Sequence, residues 1–392
     1  MFEYFGANYT WNMAVNLALG MGAQIGEIDD VSRAVKQAAD RGDADAAEQF
    51  FSAWSGLGER LERLAADDLA RGRAWSAGKK YKRAAIYHLQ AERMQAPGFA
   101  GREPAYRRML DCFAQFVQLT GQRCERVEVP YLGTRLPALF VPADGLAPGD
   151  AAPCMIHFDG LDVTKEILFM AGMGPELARR GVSVLLVDNP GVGESLRFRG
   201  LKNFPEAEVP AAACVDYLEA RADVDRTRIG MMALSLGGFH APRATAFEQR
   251  IRCCVAWGAN YDWGKTQRYR YESRDPRLPV PHFWHHAMWV FGKDTVEELL
   301  ATADCMTLAD CLHRIRCPIL IAHGGNDRQI QPEQARQTYE GCVNSVKREL
   351  RIHDVGDGGA EHCSIDNLAI GIDAIADWVG ETMVELKQGL MS

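Results

Sequence analysis

The chain has 392 residues, more than one average domain and fewer than three. Hydrophobic residues make up 47% and charged residues 24%, an ordinary globular composition that excludes disordered, collagen-like and coiled-coil readings. Net charge is −8, from 52 acidic against 44 basic residues with no basic block, so no nucleic-acid partner is expected.

The opening Met1-Phe2-Glu3-Tyr4-Phe5 has no basic n-region and no long apolar run, so no secretory signal is expected. No window approaches the roughly 18 apolar residues of a membrane span. Residues 1–121 read as a helical domain. Leu57, Leu61, Leu64 and Leu69 recur near the period of a helix face. Ala70–Ala91 resembles one helical-hairpin repeat, but no second copy follows at a fixed period. A helix pair packed on a neighbour is therefore the simpler expectation. Gly20–Gly26 misses the dinucleotide-binding spacing by one position and follows no strand.

Residues 122–392 read differently. Arg126–Val129 and Leu136–Val141 predict two strands around a turn at Gly133. Short apolar runs then alternate with helical stretches. The strands are Cys154–Phe158, Val182–Val187, Ile229–Leu234, Val255–Trp257, Ile319–Ala322 and Arg348–Ile352. The helices are Lys165–Arg180, Ala207–Arg221, Gly237–Phe247, Pro332–Tyr339 and Asp366–Leu386. This alternation predicts an α/β fold with a mostly parallel sheet and helices on both faces. Residues from about 260 to 312 interrupt it with Trp263, Tyr269, Tyr271, Phe283, Trp284, Trp289 and Phe291, and read as an inserted lid.

The sharpest motif is Ala233-Leu234-Ser235-Leu236-Gly237-Gly238, at a strand-to-helix junction. A nucleophile on so tight a turn needs small residues two positions either side, which Ala233 and Gly237 supply. The bland alternative is a structural serine in a Gly-rich turn. A serine nucleophile also needs a base and an orienting acid, in the chain order Ser, acid, His. Asp327 ends the Gly-rich turn after Ile319–Ala322, and His362 follows the flexible Gly358-Gly359 loop. Ser235, Asp327 and His362 thus fall in the right order on loops at one sheet edge. The backbone N–H groups of Leu236 and Leu161 are the expected oxyanion donors, with Gly160 permitting close approach.

Other residues have weaker readings. His323 reads as a packed structural histidine. His282 and His286 have i, i+4 spacing, but no glutamate of an H-E-x-x-H motif lies between them and no third ligand is evident, so neither a metal nor a cofactor is expected. The eleven cysteines contain no C-x-x-C pair and read as core residues of a reduced, cytoplasmic protein.

These motifs, with the turn Asp188-Asn189-Pro190-Gly191-Val192-Gly193-Glu194-Ser195, resemble the α/β-hydrolase superfamily from about residue 125 onward. Two features are similar to the 2,6-dihydroxypseudooxynicotine hydrolase group. One is the helical N-terminal domain. The other is Asp159-Gly160-Leu161-Asp162-Val163-Thr164-Lys165-Glu166, against that group's Gly-Gly-Leu-(Asp/Glu)-Ser-Thr-Lys-Glu. Asp159, Val163 and Ala233 depart from the pattern. The resemblance implies hydrolysis of a C–C bond beside a ketone in an aromatic, heteroaromatic or polyketide-like small molecule. It also implies that Glu166 acts with the triad. Against this, an acid in the first turn of a helix favours the helix dipole without any catalytic part. A carboxylesterase, thioesterase or lactonase with the same triad is the alternative, and the helical domain offers a surface for a homodimer.

Overall fold

The computed structural model describes residues 1–6, 8–41, 43–274 and 276–390. It divides into two compact units, one of Met1–Cys124 with Arg277–His286, the other of Glu125–Pro276 with residues from Ala287 onward.

The first unit is helical: α1 (Tyr9–Met21), α2 (Ile25–Arg41), α3 (Ala46–Ala70), α4 (Ala74–Arg93) and α5 (Arg102–Leu119). The Asn8 side chain caps α1 by accepting from Trp11 N, and Gly22, at φ +106°, closes it. Phe50, Trp54, Leu57, Leu61 and Ala65 form the buried stripe of α3. Trp54 stacks on Phe50 at 4.8 Å, meets Tyr87 edge-on, and donates its indole N–H to Ser32. Within Ala70–Ala91, where a hairpin repeat was the less favoured reading, most residues form one continuous helix, α4. The chain reverses before it, at Arg71–Arg73, where Gly72 takes φ +73°. Residues 277–286 were expected to belong to an inserted lid. They belong instead to this unit, where Thr10 Oγ1 donates to Leu278 O at 2.6 Å.

The second unit is built on one eight-stranded sheet. In chain order its elements are β1 (Glu125–Tyr131), β2 (Thr134–Val141), β3 (Ala152–Phe158), α6 (Lys165–Ala171), α7 (Met173–Arg179), β4 (Ser183–Val187), α8 (Gly193–Arg197) and α9 (Glu208–Glu219). Then follow β5 (Val224–Leu234), α10 (Gly237–Phe247), β6 (Cys254–Trp257), α11 (Trp263–Ser273), α12 (Phe283–Phe291), of which Ala287 onward belongs to this unit, and α13 (Val296–Ala303). The last elements are β7 (Ile319–Gly324), α14 (Pro332–Gly341), β8 (Arg348–His353) and α15 (Leu368–Lys387).

The strand order is β1-β2-β4-β3-β5-β6-β7-β8. β2 runs antiparallel to both neighbours, and β3 through β8 are parallel. Every residue of β3, β4, β6 and β7 is buried, because helices cover both faces of a parallel sheet. The crossing from β2 to β4, with β3 inserted between β4 and β5, brings the C-terminal ends of β3 and β5 side by side. Phe158 pairs with Ala233 there. One helix expected over Lys165–Arg180 is two. Gly172, at φ +110°, lets its N–H return to Leu168 O and Phe169 O and ends α6.

Candidate active site

β5 delivers Ser235 into a left-handed conformation, φ +61°, from which α10 starts. A non-glycine residue there is strained by about 1–3 kcal/mol, and the surroundings must over-determine it. They do. A Cβ on Gly237 would lie 2.5 Å from the Ala233 methyl, so Ala at one position requires Gly at the other. A Cβ on Gly238 would collide with Gly258 O, and Ser235 N donates to Trp257 O at 2.8 Å. The turn therefore closes only with the small residues this sequence has.

Ser235 Oγ lies 2.8 Å from His362 Nε2, and His362 Nδ1 lies 2.8 Å from Asp327 Oδ2. Asp327 follows β7, and its Oδ1 accepts from Gln329 N at 2.7 Å and Ile330 N at 3.0 Å. His362 is not on a flexible loop, as its glycine-rich sequence suggested. Asp366 accepts from the N–H groups of Gly359, Ala360 and Glu361, and Asn326 N donates to Ala360 O. The acid and base loops are thereby clasped together. His323, fully buried, meets Ile330 O at 2.9 Å through Nε2 and stands 3.6 Å from Asp327 Oδ2.

The electrostatics suit proton transfer. Burial works against a charged His362, but the Asp327 carboxylate beside it raises its pKa well above 6.5. Burial pushes the Asp327 carboxyl up, yet the charge and hydrogen bond of His362 hold it below its ordinary value. With Asp327 accepting at Nδ1, Nε2 is the atom free to take a proton from Ser235.

Gly160 brings its backbone against this serine. A Cβ there would sit 3.0 Å from Ser235 Cβ and 3.1 Å from Leu234 O. Leu161 follows Gly160 in that loop, and Leu236 follows Ser235 at the start of the turn into α10.

Across residues 146–366 the chain matches the model of the alpha/beta hydrolase family. It belongs to that family. Relatives span nearly the whole hydrolase. The 2,6-dihydropseudooxynicotine hydrolase of Paenarthrobacter nicotinovorans is 27% identical over 344 residues, covering 86% of each chain. The 20-hydroxy-prefusarin hydrolase of Gibberella moniliformis is 25% identical over 396 residues, covering 92% of each. Among solved structures, 2,6-dihydroxy-pseudo-oxynicotine hydrolase superposes with a TM-score of 0.75 at 25% identity, covering 94% of the hydrolase and 96% of that chain.

The structure places Glu166 outside the hydrogen-bond chain of the triad. Its Oε1 meets Lys165 Nζ at 2.7 Å, and its Oε2 has no partner. The same ammonium lies 2.7 Å from both Asp188 Oδ2 and Glu194 Oε1. Lys165 is completely buried, so burial disfavours its charge, but the three acids raise its pKa above the ordinary range. Burial would raise Glu194, yet the Arg126 hydrogen bonds and the Lys165 charge pull it down to about 2. Glu166, held up by burial and by Asp188, stays above its ordinary value despite Lys165.

Sequence reasoning missed this cluster, although the charged pair Lys165-Glu166 opening an otherwise apolar helix was the visible signal. The Cys363 thiol, next to the base in sequence, also stands beside it in space, with Sγ 3.7 Å from His362 Nε2. The lid histidines His282, His285 and His286 join no metal-type cluster among the described residues. Glu62, His88 and Cys112 bring ligand atoms within 4.8 Å of one another, but Glu62 is already paired with His88 at 2.6 Å and with Arg108 at 3.1 Å.

Proposed function

We propose that this hydrolase cleaves a C–C bond adjacent to a ketone in an aromatic, heteroaromatic or polyketide-like small molecule, with Ser235 as nucleophile. The observation that carries the reading is the Ser235–His362–Asp327 relay, 2.8 Å at each link, on a strained strand-to-helix turn. Near-full-length similarity to 2,6-dihydropseudooxynicotine hydrolase supports the substrate class.

His362 Nε2 takes the proton of Ser235 Oγ as the oxygen attacks the ketone carbon. The N–H groups of Leu236 and Leu161 hold the resulting oxyanion, and the start of α10 adds its dipole. The tetrahedral adduct collapses by breaking the C–C bond. The leaving carbon departs as an enolate-type carbanion and collects the proton from His362. Water, deprotonated by the same imidazole, then releases the carboxylic acid from Ser235. Glu166 acts in this reading as a positioning residue, through Lys165 and the loop above it. Eleven cysteines without a disulfide support a reducing, cytoplasmic setting.

The test is product analysis on a panel of aryl 1,3-diketones and matched aryl esters, with Ser235→Ala as control. Each diketone is expected to yield one carboxylic acid and one methyl ketone, with turnover lost in the control. Ester cleavage with no diketone cleavage across the panel replaces the reading with a carboxylesterase, thioesterase or lactonase.

A further inference from the structure

Asp159 follows β3 and begins the loop that carries Gly160 past Ser235. Its side chain is fully buried, and neither Oδ1 nor Oδ2 has a hydrogen-bond partner. The groups facing it are Asp188 from the loop after β4, and Glu166 and Lys165 from α6. Behind these stand Glu194 of α8 and Arg126 of β1. His157, in β3 just before it, adds no cation, because burial brings its pKa down to about 4.

The donors in this cluster are already committed. The Lys165 ammonium serves Glu166, Asp188 and Glu194. Asp188 accepts from Lys165 N at 3.0 Å, Lys165 Nζ at 2.7 Å and Glu194 N at 2.8 Å. Asp188 is the charged neighbour that acts most strongly on Asp159. Two carboxyl groups so placed need a proton between them. Asp188 has three N–H donors and the Asp159 carboxyl has none among the described residues, so the proton sits on Asp159. An ionised Asp159 would be a buried charge with no donor of its own.

We propose that Asp159 is a positioning residue that works in its proton-bearing form, donating to Asp188 and thereby holding the Gly160–Leu161 loop against Ser235. Burial first, then the nearby Asp188 and Glu166, push its pKa well above 3.8, in keeping with that state. Loss of the proton at alkaline pH would place an anion beside the loop that receives the oxyanion. The catalytic consequence rests on the serine-hydrolase reading; the protonated state does not.

Asp159→Asn keeps the size and the donor but has no proton to lose. In the wild type, the folded chain keeps a proton that the unfolded chain releases above 3.8, so stability falls as pH rises toward the folded pKa. The variant lacks that decline. Its Tm is expected to match the wild type near about pH 4 and to exceed it increasingly toward about pH 9. Its alkaline limb of kcat/KM on an aryl ester should move up or vanish. Infrared spectra near neutral pD should show a protonated-acid carbonyl band in the wild type that is missing from Asp159→Asn, or from Asp159→Gly should the first variant not fold. A variant less stable by the same amount at every pH, or no such band, overturns the proposal. Should neither protein turn over the ester at any pH, the hydrolase reading fails, while the Tm and infrared arms still decide the state of Asp159.

Discussion

The triad and the cluster beneath the Gly160 loop are both buried polar networks at the C-terminal edge of one sheet, and they balance charge differently. In the triad each donor meets one acceptor: Asp327 takes two backbone N–H groups and one imidazole, and the other imidazole nitrogen faces Ser235. In the cluster, Glu166, Asp188 and Glu194 share Lys165 with Asp159 beside them unpaired, and among the described residues Arg126 is the one further cation paired into it. A matched network can pass one proton and return to its starting state, as nucleophilic catalysis requires. An over-acidic one must hold protons permanently, so it sets the shape of a loop rather than turning over. Activity is expected to be most sensitive to the first network, and stability to the second.

The largest effect expected is on the matched side. Asp327→Asn keeps the size of the side chain but removes the charge that orients His362. A loss of about 10⁴ in kcat is expected, as for comparable changes in serine triads. The pH profile gives the sharper reading. His362 must be neutral to act as base, so kcat/KM in the wild type falls as pH drops through a value above 6.5. Without Asp327 the residual activity should show that acid limb at lower pH, because the main charge opposing burial is then gone and only Cys363 still raises His362. An acid limb that does not move would separate Asp327 from the titration of the base.

The second effect concerns stability. Lys165→Met removes the cation that Glu166, Asp188 and Glu194 share in a site with no solvent contact. Breaking a buried pair from one side costs about 3–5 kcal/mol, and urea denaturation would measure it. Adding Glu166→Gln to that background should recover part of the loss, since one unpaired acid is then neutral. A cost below about 1 kcal/mol would mean that the acids reprotonate freely, and the two networks would then differ less than their donors suggest.

The same contrast explains what was legible in the sequence. The strands from Cys154–Phe158 to Arg348–Ile352 announce themselves because a doubly covered sheet demands continuous apolar runs. The Ser, Asp, His order is legible because loop chemistry leaves glycine and polar residues at sheet edges. What stayed hidden depends on contacts made in three dimensions. Gly172 splits a helix whose apolar pattern runs on unbroken. Residues 277–286 pack with α1, far away in sequence. Glu166 reads as a first-turn acid until Asp188 and Glu194, more than twenty residues later, are seen to share one lysine with it, and Asp159 reads as a loop acid until its carboxyl is found buried without a donor.

The smallest expected effect tests the boundary between the two networks. Glu166 was expected to work with the triad, but its carboxylate is engaged by Lys165. Glu166→Gln keeps an oxygen that can accept from that ammonium, and burial already favours the neutral acid that Gln imitates. If Glu166 acts only through Lys165 and the loop, kcat/KM should fall by the same factor of about two to five on a 1,3-diketone and on an aryl ester, well under 1 kcal/mol in activation free energy for the smaller value. Tm should change little below neutral pH. A loss confined to the diketone gives a different answer, because only that substrate expels a carbanion that needs protonation or charge relief. That outcome would move Glu166 into contact with the leaving group, and the over-acidic cluster would then take part in the chemistry as well as holding the loop.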